Sequence, residues 1–246
     1  MVQPAWLHPK WNRTVIEVRN LVKRFASKTV LRKLDFRVEP GEFVALLGPN
    51  GSGKTTFLRI LASLSNPSLG EVRVAGYALP AESAAVRTRL GVVSHLPLLY
   101  GDLTAEENLQ FYGRMYDVAN LSPRISEVLE MVGLKARRHD LVRTFSRGMQ
   151  QRLSIGRAVL HDPEVMLFDE PYTGLDQDAS LMLDGLLRTV ASQGRTIVMT
   201  SHDLARAQDV ATRFDILSRG VIAASATRKR LGRTNLLTFY KQALAG

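Results

Sequence analysis

The 246-residue chain contains no cysteine. Disulfides, thiolate metal sites and thiol nucleophiles are therefore excluded, and a reducing cytosol is compatible with the composition. Long apolar runs are also missing. No stretch approaches the ~20 residues that cross a bilayer as a helix, so a role at a membrane is expected to need another chain that spans it. The opening residues, MVQPAWLHPKWNR, hold no continuous apolar segment, and no signal peptide is read there. Acids are scarce: 23 Asp and Glu face 33 Lys and Arg, a formal charge of +10. That balance favours phosphate-bearing ligands, nucleic acid or anionic surfaces, and it equally describes a solvated basic face. Between Arg213 and Lys241, seven Lys or Arg accompany one acid, Asp215.

What is abundant is apolar material, 45% of the residues, ample for one core with a lobe attached. Residues 14–47 read as strands. TVIEVRNLVKRF and TVLRKLDFRVE alternate imperfectly, and EFVALLG is a short apolar run after Pro40 and Gly41. A helix should begin near Gly53, present Phe57, Leu58 and Leu61 on one face, and stop at Asn66 and Pro67. GEVRVAGYAL and RLGVVS read as two further strands.

From Thr104 the period changes. Thr104 and Glu107 have the spacing of a capping box, with Leu109, Tyr112 and Tyr116 behind them at helical intervals. Ser122 and Pro123 start another helix, with Ile125, Val128, Leu129 and Val132 inward and Gly133 as its stop. Residues 100–160 thus read as a helical lobe. EVMLFDE (164–170) and RTIVMTS (195–201) read as buried strands on either side of a helix over 177–193, and residues 218–220 as a hairpin turn. Apolar strands alternating with helices imply a largely parallel sheet covered on both faces.

GPNGSGKTT (48–56) contains G-x-x-x-x-G-K-[ST] directly after a strand and at the opening of a helix. Gly48, Gly51 and Gly53 let successive N–H groups face inward, and the helix N-terminus adds positive potential for phosphate oxygens. Lys54 is the point charge for the β- and γ-phosphates, and the Thr55 hydroxyl suits magnesium. VMLFDEP (165–171) ends in two carboxylates at the C-terminal edge of the expected sheet, where α/β ligands bind. Asp169 is the candidate for holding magnesium and Glu170 the candidate general base for an attacking water. His202 ends the next buried run and is expected in the same crevice, against the γ-phosphate. A zinc site from His95, His161 and His202 finds no support in close ligand spacing.

FSRGMQQR (145–152) lies about twenty residues before the acidic strand. With the phosphate loop, Asp169, Glu170, the turn from Thr173 to Asp176, and His202, it resembles the signature of the ATP-binding cassette (ABC) ATPases, over about residues 14–225. The resemblance implies an α/β fold of the P-loop NTPase, ABC nucleotide-binding type: a RecA-like core, an antiparallel β-subdomain and an α-helical subdomain at about 95–165. The ATPase domain would span 14–228, between an N-terminal tail (1–13) and a basic C-terminal tail (229–246).

The family's cofactors are ATP and Mg2+. Phe25 would stack on adenine, and Gly48, Pro49, Asn50, Gly51, Ser52, Gly53, Lys54, Thr55 and Thr56 would hold the phosphates. A second nucleotide-binding domain, in a homodimer, would offer Ser146, Arg147, Gly148, Met149 and Gln150 across the interface, with Asp176 communicating between the two. Arg147 stands where the family's signature has its first glycine, and Met149 where it has glutamine. His95 occupies the place of the family's hinge glutamine, which touches magnesium and attacking water and couples to the membrane permease; imidazole adds a titration near neutral pH.

Such a subunit is expected at the cytoplasmic face of a membrane, peripheral to an integral permease, with no nucleic acid bound. SHLPLLYGDLTAEENLQFYGRMYDV (94–118) followed by SRGMQQR resembles, more narrowly, the ATPase of the haem exporter of cytochrome c maturation. Exporters of drugs, lipids or polysaccharides carry similar signatures. A soluble cassette protein on ribosomes or DNA usually has two cassettes or a long coiled-coil insertion, neither of which is present. A P-loop kinase or GTPase has no use for the signature.

Overall fold

The structure, a computed structural model, describes residues 14–94, 96–232 and 235–245. The expected tail over 1–13 and His95, expected at the hinge position, lie outside the described residues.

Two sheets organise the chain. The first is antiparallel, in the order β2-β1-β4-β5, from β1 (Ile16–Phe25), β2 (Lys28–Val38), β4 (Leu69–Val74) and β5 (Tyr77–Leu79). The second has six strands in the order β10-β9-β3-β8-β7-β6. These are β3 (Phe43–Leu47), β6 (Leu90–Val93), β7 (Val165–Asp169), β8 (Thr196–Ser201), β9 (Arg213–Ser218) and β10 (Val221–Thr227). All neighbours in it pair in parallel except the β9–β10 hairpin.

Every residue of β3, β7 and β8 is buried, because both faces of this sheet are covered. The two-residue period divides them. Phe43, Ala45, Leu47, Met166, Phe168, Ile197 and Met199 join the core under the helical lobe, whereas Val44, Leu46, Val165, Leu167 and Val198 join the core under the antiparallel sheet. The helix α1 (Lys54–Leu61) sits between the two sheets and buries Phe57, Leu58, Ile60 and Leu61 in that second core.

The lobe is α3 (Ala105–Met115), α4 (Leu121–Met131) and α5 (Arg147–Val159). The capping box of Thr104 and Glu107 forms as read from the sequence. The core is completed by α2 (Ser83–Arg87), α6 (Gln177–Ser192) and α7 (Leu204–Val210).

Three elements depart from the sequence expectation. First, α1 ends at Leu61 and does not run to Asn66 and Pro67. Ser63 turns left-handed at φ 57°, its N–H reaches the Ile60 carbonyl and the Leu64 N–H reaches the Arg59 carbonyl, a Schellman closure that needs no proline. Second, GEVRVAGYAL is a hairpin of two strands, since Ala75 and Gly76 both adopt positive φ (51° and 85°), as a tight two-residue turn requires. Third, the segment read as a basic tail contains α8 (Arg228–Leu231) and α9 (Leu236–Ala245). Leu236 is buried, and Phe239, Tyr240, Ala243 and Leu244 pack on the same core, an apolar stripe at helical spacing.

Candidate nucleotide site

The loop from Gly48 to Gly53 leaves β3 and enters α1 at the C-terminal edge of the parallel sheet. Its glycines are sterically required at two points. A Cβ on Gly48 would lie 2.2 Å from the Leu217 carbonyl oxygen, and Gly53 holds φ 111° immediately before α1. A Cβ on Gly51 would meet nothing within 4 Å, so the loop is open on that side. Ser52 is buried, yet its hydroxyl has no hydrogen-bond partner among the described residues.

The Lys54 side chain is 6% exposed, and its ammonium donates to the Gly48 and Pro49 carbonyls at 2.8 and 3.3 Å. It lies 3.8 Å from the Glu170 carboxylate. Burial pushes the Lys54 pKa below the ordinary lysine value, and Glu170 and Asp169 pull it back up. The site therefore holds a desolvated cation whose donors are spent on the loop itself.

The acids arrive from β7. Asp169 is buried, and its Oδ1 accepts from the Thr55 hydroxyl at 3.1 Å and from the Thr200 hydroxyl at 2.8 Å. Thr200 also accepts from the Glu170 N–H at 3.0 Å. Sequence reasoning missed Thr200. Its signal is the β7–β8 register, which sets Asp169 opposite Thr200, and that register is not written in either strand alone. Glu170 holds φ 51°, left-handed for a non-glycine residue. Its carboxylate accepts from the Nδ1–H of His202, so the two residues expected in one crevice are in contact.

Phe25 ends β1 and is 51% exposed, with the Lys23 ammonium 4.8 Å from its ring centroid. It is not a core phenylalanine. Ser146 caps α5 and accepts from the Met149 N–H at 3.2 Å, while the Gln150 side chain donates to the Phe145 carbonyl at 3.3 Å. Asp176 caps α6, accepting from the Ala179 N–H at 2.8 Å. The two helix starts are packed together. A Cβ on Gly148 would be 2.9 Å from the Ala179 Cβ, and one on Gly174 would be 2.6 Å from the Arg147 guanidinium carbon. Among the described residues, no hydrogen bond or ion pair joins the signature (146–150) to the phosphate loop (48–56).

His161 stands apart, stacked on Tyr116 with ring centroids 3.9 Å apart. No group of three or more metal-binding side chains forms among the described residues, and His95 of the zinc trio considered from sequence lies outside them. The phosphate loop and acid pair do fit a magnesium nucleotide. The orphaned Ser52 hydroxyl lies in the cradle, and the Thr55 and Asp169 oxygens supply the hard donors that magnesium takes alongside phosphate oxygens.

Residues 31–173 match the family described as ABC transporter. The chain belongs to that family. It is 34% identical over 219 residues to the linearmycin resistance ATP-binding protein of Bacillus subtilis (strain 168), covering 88% of this chain and 70% of the relative. To the Nod factor export ATP-binding protein I of Paraburkholderia xenovorans (strain LB400) it is 37% identical over 207 residues, 83% of this chain and 68% of the relative.

A solved structure described as the ATP-binding subunit of an ABC transporter superposes with a TM-score of 0.84 at 30% identity, covering 94% of this chain and 99% of that one. Another, a dimeric post-hydrolysis state of an ATP-binding cassette bound to ADP and Pi, gives 0.78 at 28% identity, covering 87% and 98%. This ABC protein is thus the ATP-binding subunit of a transporter, an ATPase that works with ATP and Mg2+. The two sequence relatives are named for linearmycin resistance and Nod factor export, and they do not support the narrower haem-exporter resemblance. Among the described residues no helix is long and apolar enough to cross a membrane.

Proposed function

We propose that this ABC ATPase powers an exporter by closing head to tail on a second copy of itself, with each ATP held between the phosphate loop of one copy and the signature of the other. The observation that carries the reading is the placement of Glu170, bonded to His202 and 3.8 Å from Lys54, beside the Thr55–Asp169 pair. General base, cation and magnesium donors share one edge of the sheet, while among the described residues the signature has no hydrogen bond or ion pair to the phosphate loop. A second copy supplies it.

The work divides by residue. Lys54 exchanges its loop carbonyls for phosphate oxygens, and Ser52 and the loop N–H groups complete the cradle. Thr55 and Asp169 hold magnesium, which when bound neutralises phosphate charge. Glu170 takes the proton of the attacking water, and His202 orients that carboxylate from its far side. Ser146 and Gly148, at the start of the 13-residue α5, bring N–H donors and a helix dipole to the γ-phosphate of the partner's nucleotide. Exposed Phe25 offers a ring face to adenine, and Asp176 fixes the start of α6 beside the signature.

The permease docks on the lobe. Leu96, Leu98, Tyr100, Phe111 and Met115 are exposed apolar side chains around the segment after β6 and along α3. That segment is anchored from beneath: Ser154 donates to the Pro97 carbonyl at 3.1 Å and Tyr112 to that of Leu98 at 2.6 Å. The subunit then sits on the cytoplasmic face of the membrane. For cargo, the names of the relatives favour the class of drug, lipid or polysaccharide exporters over haem. Haem export rests on the motifs at 94–118 and 146–152 alone.

The test is a pull-down of tagged Glu170→Gln from membranes in the presence of ATP, with identification of the chains retained. An integral multispanning partner is the expected result, and its own activity assigns the cargo. Ribosomal proteins or nucleic acid in its place would overturn the transporter assignment for this chain.

A further inference from the structure

A cleft of about 480 Å3 lies beside Glu170 and His202. Tyr172 and Arg206 line it, and both bond one buried carboxylate, that of Asp184 on α6. The Tyr172 hydroxyl donates to Asp184 Oδ1 at 2.6 Å, and Arg206 Nη1 donates to Oδ2 at 3.0 Å. The Arg206 guanidinium also lies 5.4 Å from the Tyr172 ring centroid. Asp184 is 5% exposed, and a buried carboxylate is tolerated only when its oxygens are partnered. Here both are.

The two partners belong to different segments. Tyr172 stands in the turn that leads from Glu170 to Asp176. Arg206 is in α7, the helix that follows His202, and its N–H donates to the α7 cap, Asp203, at 3.1 Å. One carboxylate on a 16-residue helix thus ties the segment after the general base to the segment after the histidine. Glu170 needs such a tie. Its φ of 51° is a conformation that a non-glycine residue keeps only when its surroundings enforce it. Thr200 holds it from one side through the backbone N–H, and Tyr172, two residues on, holds it from the other.

We propose that Asp184 is a positioning residue for hydrolysis: through Tyr172 and Arg206 it pins the Glu170 turn and the His202 segment to one point, so that the carboxylate and the imidazole stay in register. The inference rests on the reading of Glu170 and His202 as the hydrolytic pair. Among the described residues, no hydrogen bond or ion pair joins Tyr172, Asp184 or Arg206 to the phosphate loop, so the effect falls on turnover and leaves nucleotide binding alone.

The experiment is steady-state ATPase kinetics on Tyr172→Phe, Asp184→Ala and Asp184→Asn, each alone and combined with His202→Ala. Tyr172→Phe and Asp184→Ala should lower kcat ~10-fold or more with the KM for ATP within about twofold of the parent, as misplacement of catalytic groups does. Asp184→Asn should recover most of kcat, because its amide oxygen accepts from Arg206 and its amide N–H donates to the Tyr172 hydroxyl. In the His202→Ala background, Tyr172→Phe and Asp184→Ala should cost less than they do alone, because the register with the imidazole is already lost and only the hold on Glu170 remains. Full additivity with His202→Ala, or unchanged kcat in both single variants, overturns the positioning role. A wild-type kcat for His202→Ala itself overturns instead the assignment of His202 to the hydrolytic pair. Tyr172→Phe removes one oxygen atom, so the test survives even if Asp184→Ala fails to fold.

Discussion

Thr55 and Asp169 are 114 positions apart in sequence, and the hydroxyl of one donates to the carboxylate of the other at 3.1 Å. The bond joins the first turn of α1 to the end of β7 and sets two hard oxygen donors side by side at the mouth of the phosphate loop.

Breaking that pair should separate metal use from nucleotide binding. Thr55→Val removes the hydroxyl and Asp169→Asn removes the charge. Both should still bind a fluorescent nucleotide without metal, and both should need a magnesium concentration at least ~10-fold higher for half-maximal ATPase, as loss of a ligand or its support does. A magnesium titration of activity decides it. Lys54→Ala, in contrast, should lose nucleotide binding with or without the metal.

Glu170→Gln should bind ATP and hydrolyse it ~10²–10⁴-fold more slowly, the usual worth of a general base. With turnover blocked, ATP should hold two copies together, so size exclusion with light scattering is expected to report a dimer with ATP and a monomer without. A monomer in both conditions would refute the shared-site arrangement.

Arg147 and Gly174 make a steric prediction. Gly174 holds φ 74°, and a Cβ there would be 2.6 Å from the Arg147 guanidinium carbon. Gly174→Ala should cost ~1–2 kcal/mol in backbone strain alone, and more if Arg147 must move. On a chain of this size that is a fall in Tm of roughly 2–4 °C per kcal/mol. Arg147→Gly in the same background should return the steric part of the loss and leave the backbone part. Equal melting temperatures with and without Arg147 would show that the contact carries no energy.

His161 sets an acid limit on stability. Burial lowers its pKa from the ordinary value near 6.5 to about 4. Between those values the unfolded chain binds the proton and the folded chain does not, so stability falls as pH drops from about 6.5 towards 4, by up to ~3 kcal/mol. His161→Phe keeps an aromatic ring against Tyr116 without a titrating nitrogen. Urea unfolding at pH 7 and pH 5 should show a smaller acid loss for that variant than for the parent, and identical losses would rule His161 out.

Much of the site was legible because its chemistry is local. The phosphate loop, the helix opening at Lys54, the acids ending β7 and the cap at Thr104 each follow from residues within a few positions of one another, where hydrogen-bond rings and glycine conformations are decided. The same locality made the apolar runs of β3, β7 and β8 readable as buried strands. Where α1 ended, and where β4 turned into β5, escaped that reading, since Ser63 and Ala75 take left-handed conformations that residue type does not announce.

Residue patterns alone carried the fold class and marked the glycine-rich loop before α1 and the two acids at the end of β7. Only the tertiary structure decided which side chains meet. Thr200 reaches Asp169 through the register of two parallel strands, and Tyr172 and Arg206 converge on Asp184 from separate elements. Strand register and helix docking are set by the total apolar surface buried between distant segments, a quantity that no single segment encodes.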